Sequence, residues 1–153
     1  MKKKKEFENN WLSKSLESLE KDFWKEPEGE SYLVTTCFRL RKKQLKQFTI
    51  EDLRIMIGQN IGLKYLIPIA IEQLNENILA EGDFYEGDLL NSVFSSDRKY
   101  WLNNEEHWSI VCKLFENNKE TLQAFDTTKP IRDKMFSLYQ HFRGIHAKTK
   151  FND

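Results

Sequence analysis

Apolar residues recur at the helical period along nearly the whole chain. Leu12, Leu16, Leu19 and Phe23 keep helix spacing until Glu26-Pro27-Glu28-Gly29 interrupts it. Ser31 to Leu40 reads two ways, since Tyr32-Leu33-Val34-Thr35-Thr36-Cys37-Phe38 also suits a strand. Helix is the reading taken, because Leu33, Cys37 and Leu40 share a face and no neighbouring segment supplies a partner strand. Thr49 with Asp52 marks a helix start, continued by Leu53, Met56 and Ile57. Gly58 and Gly62 bracket a junction. The run Leu63 to Leu74 is apolar on most sides and predicts a central helix, with Pro68 in its first turn or at a kink. Gly82 to Gly87 predicts a loop, and Asp88 is placed to cap the helix beginning Leu89-Leu90. A short helix carrying Tyr100 and Trp101 follows. Asn104 then caps a long one containing Trp108, Val111, Cys112, Phe115 and Leu122, and the last starts near Pro130 with Ile131, Met135, Leu138, Tyr139 and Phe142 on one face. The expected fold is all-α, a single compact bundle of about six to eight helices.

Composition narrows the class. A chain of 153 residues suits one domain. Hydrophobic residues at 39% and aromatics at 13%, with 11 Phe, supply enough burial to exclude disorder. Only 6 Gly and 3 Pro disfavour sandwiches and barrels, which need frequent turns. Cys37 and Cys112 give neither a disulfide framework nor a metal quartet. No apolar run approaches membrane-spanning length, and Lys2 to Lys5 leads into polar residues rather than a signal core. A cytoplasmic protein is expected, with residues 1–12 a flexible basic extension and 13–153 one helical domain.

Lys and Arg number 24, as do Asp and Glu, yet the charges are sorted. Arg39, Arg41, Lys42, Lys43 and Lys46 form a basic stretch. Between Glu72 and Asp97 the chain carries Glu76, Glu81, Asp83, Glu86 and Asp88 without one Lys or Arg. Chemistry is sparse. Gly62 is followed by Leu63-Lys64, which excludes a phosphate-binding Walker loop. His107, His141 and His146 lack the spacing and the helpers of a metal site, and the acidic loop lacks the alternating ligands of an EF-hand. No cofactor or metal is expected. Asp83 with Asp88 as an acid/base pair, and Arg39 to Lys46 as a nucleic-acid patch, are weaker readings than a turn and a solvated face.

One resemblance stands beside this reading. Leu53-Arg54-Ile55-Met56-Ile57-Gly58-Gln59-Asn60-Ile61-Gly62-Leu63, then Tyr65-Leu66-Ile67-Pro68, then Leu79-Ala80-Glu81-Gly82-Asp83-Phe84-Tyr85-Glu86-Gly87-Asp88-Leu89-Leu90, resemble the core of a bacterial family of contact-dependent growth inhibition immunity proteins. Ser15-Leu16 through Trp24-Lys25-Glu26-Pro27 and Leu40-Arg41-Lys42-Lys43 are similar too, so the likeness covers roughly residues 13–95. Gln44 and Glu86 stand where the family often has Pro. The resemblance implies a non-catalytic cytoplasmic protein, its helical immunity domain binding the toxic C-terminal domain of a cognate effector one to one, with no direct nucleic-acid or membrane contact. Such toxins are frequently nucleases, whose clefts are basic. The expected docking face is therefore acidic and anchored by an aromatic: Glu76, Glu81, Asp83, Tyr85, Glu86 and Asp97. Glu72 is left out as part of the buried helix, and Asp88 as the cap. The alternative is a small helical nucleic-acid-binding or regulatory protein using Arg39 to Lys46.

Overall fold

Contacts within the chain group it into two units, one ending at Thr49 and one beginning at Ile50. The computed structural model describes residues 7–146, so the Lys2 to Lys5 tail lies outside the described residues. Among those, the secondary structure is all-α: nine α-helices and three 3₁₀ turns, with no strand. The count reaches nine because the segment read as one long helix is two, α7 (Glu105–Asn117) and α8 (Lys119–Ala124), which places Leu122 on a separate element.

In the first unit, a 3₁₀ turn (Trp11–Ser13) precedes the short α1 (Leu16–Glu20). Leu16 and Leu19 are buried, but Leu12 and Phe23 are exposed and lie outside the helix. The expected four-residue stripe is thus cut to its middle, because Lys21 at φ 55° turns the chain away. The ambiguous segment forms α2 (Tyr32–Leu40), capped by Ser31, whose Oγ accepts from the Val34 amide. Cys37 and Leu40 are buried while Leu33 faces solvent. Backbone bonds from Glu17 to Arg41 and from Leu45 to Lys14 tie the start of this unit to the end of α2.

The second unit begins with α3 (Ile50–Gly58), α4 (Leu63–Glu76) and α5 (Asp88–Ser95). The junction after α3 is built by backbone geometry. Asn60 takes φ 61°, its amide bonds to Ile57 and the Ile61 amide to Met56, which closes the helix end with a left-handed residue. Gly62 at φ 67° then opens α4. Pro68 lies inside α4, past its first turn, and removes the donor that would otherwise bond the Lys64 carbonyl. After α5 come α6 (Arg98–Leu102), α7, α8 and α9 (Lys129–Arg143), the last with Pro130 in its first turn and Thr128 as cap. Asn104 occupies the cap position of α7, yet its side chain donates to the Tyr100 carbonyl and caps nothing.

The core of this unit is aromatic. Phe94 of α5 meets Phe115, Tyr139 and Phe142, and Phe115 stacks on Tyr139 at 3.8 Å between centroids. The buried indoles find acceptors: Trp101 donates to Ser96 Oγ and Trp108 to the Phe142 carbonyl, both at 2.8 Å. Against this core α5 is held between α3 and α9. That placement fixes the loop that precedes it.

Candidate functional site

Residues 77–87 connect α4 to α5 as a loop pinched by an antiparallel bridge between Glu81 and Glu86. Its organiser is Asp88, which is 3% exposed. The expected cap is not what Asp88 makes: Gly87, at φ 91°, holds the cap position, and Asp88 is the first residue of α5. Its carboxylate reaches backwards. Oδ1 accepts from the Gly82 amide at 2.7 Å, and Oδ2 from the amides of Phe84 at 3.0 Å and Tyr85 at 3.3 Å. The charge still sits at the positive end of α5. With both oxygens holding the loop, Asp88 is its buckle.

A second brace comes from α3. Arg54 donates to both Glu51 oxygens, at 2.7 and 2.5 Å, and its Nε lies 3.8 Å from Asp88 Oδ2. The Arg54 fork, helped by the Asp83 amide bonding to Glu51 at 2.8 Å, holds the Glu51 carboxyl below its ordinary value. Gly82 is required by this approach, because a Cβ there would stand 2.5 Å from Glu51 Oε1 and 3.3 Å from its Cα. Neither Glu51 nor Arg54 was singled out from the sequence. Their spacing marks a helical ion pair, but nothing local shows that it lies under a loop thirty residues on.

Of the six residues expected at the docking face, Glu81, Asp83, Tyr85 and Glu86 share this loop. Glu81, Asp83 and Glu86 are exposed; Tyr85 is half-buried, its hydroxyl accepting from Asn91 Nδ2 at 3.0 Å. Glu76 is exposed at the last residue of α4. Asp97 is exposed beyond the far end of α5, an eight-residue helix of about 12 Å. It caps α6 by accepting from the Lys99 amide, and its own amide donates to Asn60 Oδ1 at 2.7 Å. Glu72, set aside as buried, is exposed. The freely displayed aromatic of the loop is Phe84, 68% exposed, with the Arg54 guanidinium 4.1 Å from its ring centre. Beside it lies an open hollow of about 210 Å³ lined by Arg54, Phe84, Tyr85, Asn91 and Lys134 among others. The loop therefore lacks basic residues in sequence but has two cations beside it in space.

The basic stretch looks different once folded. Arg41 is 2% exposed, bonded to Glu20 and to the Asp22 carbonyl, with Trp24 over its guanidinium. Lys42 pairs with Glu17 at 3.0 Å. Arg41 is thus buried within its own unit, while Lys42 stays exposed in a surface ion pair. No helix among the described residues is long and apolar enough to cross a membrane.

A comparison with protein families matches residues 18–111, more than half of the chain, to CDI immunity proteins. The chain belongs to that family. No curated protein and no solved structure matches it. In this CDI immunity protein the matched stretch contains both structural devices just described, the Gly58-to-Gly62 junction and the Asp88 buckle. The first makes the α3–α4 turn and lends Asn60 to the start of α6. The second ties α5 to the loop before it, so both serve the scaffold.

Proposed function

We propose that this immunity protein binds the toxic C-terminal domain of its cognate contact-dependent growth inhibition effector one to one in the cytoplasm, and silences it without catalysis. The observation that carries this reading is the family match over residues 18–111. The toxin is a nuclease, and it docks over the acidic loop, Glu81, Asp83, Tyr85 and Glu86, reaching Glu76 at the end of α4 and Asp97 beyond the far end of α5. A nuclease must hold a polyanion, so its cleft carries positive potential, and carboxylates on a partner both steer its approach and occupy that potential. The bracing of the loop favours the reading. Asp88 and Glu51 fix the backbone of residues 82–85, so its carboxylates are presented with little ordering left to lose on binding.

The test is association kinetics with the toxin domain of the cognate effector, carried in an inactivated form. Replacing Glu81, Asp83 and Glu86 together by Lys is expected to slow association by about tenfold or more at low salt, and much less at high salt. Equal rates and equal salt slopes for the two proteins would remove the acidic loop from the interface.

A further inference from the structure

The first unit carries a feature that the acidic loop does not explain. Exposed large apolar side chains cluster between residues 23 and 34: Phe23 at 68%, Trp24, Tyr32 at 79%, Leu33 and Val34. Exposed carboxylates are interspersed with them, Asp22, Glu26, Glu28 and Glu30, against Lys21 and Lys25. Scattered single hydrophobics on a surface mean little, but an aromatic cluster within twelve residues is the composition of an interface core.

The two ends of this stretch are held in position. Arg41, at the end of α2, grips the carbonyl of Asp22 and the carboxylate of Glu20, and its guanidinium lies 4.5 Å from the centre of the Trp24 ring. Trp24 Nε1 also donates to Asp22 Oδ2 at 3.4 Å. Tyr32, Leu33 and Val34 lie on the first turn of α2, which Ser31 caps. One end of the segment is thus clamped by a buried arginine and the other is helical, so the apolar side chains at the two ends stand on fixed backbone.

Resting on the toxin-binding reading above, we infer that residues 22–34 form a second toxin contact, an acidic strip whose exposed aromatics insert into apolar pockets of a basic partner surface. Its charge selects the same kind of partner as the loop of the second unit, although the two surfaces come from separate parts of the chain. The carboxylates set approach and register, and Phe23 and Tyr32 provide the anchors.

The experiment measures equilibrium binding of the inactivated effector domain to the full chain, to Phe23→Ala/Tyr32→Ala, and to Ile110→Ala as an exposed apolar control outside the strip. Circular dichroism and urea melts confirm that each variant folds. The double variant is expected to bind about tenfold more weakly or worse, with the control unchanged. Wild-type binding that the double variant retains in full overturns the strip while leaving the toxin reading intact. Absence of wild-type binding overturns both. A wild-type dimer in sedimentation that the double variant dissolves, with toxin affinity unchanged, assigns the strip to a second copy of this chain and overturns the inference.

Discussion

Replacing Asp88 by Ala tests the buckle that shapes the acidic loop. The carboxylate accepts three backbone amides, two of them at 3.0 Å or less, and lies beside Arg54 while almost fully buried. A hydrogen bond to an ionised group contributes about 1.5–3 kcal/mol net, so a simple sum over three would be about 4.5–9 kcal/mol. The loop limits that loss, because once opened it lets water reach the amides of Phe84 and Tyr85. We expect Asp88→Ala to cost about 3 kcal/mol, and Asp88→Asn about 2 kcal/mol because its NH₂ opposes an amide donor. An ordinary cap sets the scale: Thr128→Ala, which removes one 3.4 Å bond at the start of α9, should cost about 1 kcal/mol. Urea unfolding of the three variants gives the ranking, and hydrogen exchange at the Gly82, Phe84 and Tyr85 amides locates it. The reasoning fails if Asp88→Ala costs no more than Thr128→Ala, or if those amides exchange unchanged in Asp88→Asn.

Three further outcomes follow from single sites. Gly87→Ala places an L side chain at a φ of 91°, past the narrow left-handed well that L residues adopt, whereas Gly29→Ala has a φ of 69° and open space, so urea midpoints should fall further for Gly87→Ala; equal losses would contradict strain at the residue before α5. Because Arg54 holds Glu51 below its ordinary value of 4.5, the folded state gains stability above that pH and loses it as pH falls through the lowered value; Glu51→Gln should flatten this part of the stability–pH curve, and an unchanged curve would contradict the brace. Burial pushes the Cys112 thiol up to about 12, so alkylation at pH 8 should proceed only as fast as the protein unfolds, and rapid labelling of the native protein would refute that burial.

Local signals were legible wherever the backbone decides the outcome. Gly58 and Gly62 bracket the α3–α4 junction as expected, Pro130 opens α9, and Ser31 to Leu40 is helical despite its β-branched and aromatic content. Breaks with weak local signals were not legible. Asn118 ends α7 without a Gly or Pro, and Lys21 takes a left-handed conformation that no pattern marks. Side chains that reach across the fold were misread for the same reason. Asp88 stands where a cap is expected, but its acceptors serve amides that precede it, and Asn104 turns to Tyr100 instead of its own helix. The acidic run from Glu72 to Asp97 was visible as a list of charges. Its division into a buckle, a helix cap and exposed carboxylates, and the placing of Arg54 and Lys134 beside it, depend on how α3, α5 and α9 pack.

The central claim is neutralisation of a toxin, and survival of a cell producing that toxin measures it most directly. The toxin domain of the cognate effector is induced in a susceptible strain with or without this chain. Growth should be arrested by the toxin domain alone and restored by co-production, with the two proteins recovered as a complex of one copy each. Arrest that persists despite folded, abundant immunity protein, with no complex formed, would contradict the account.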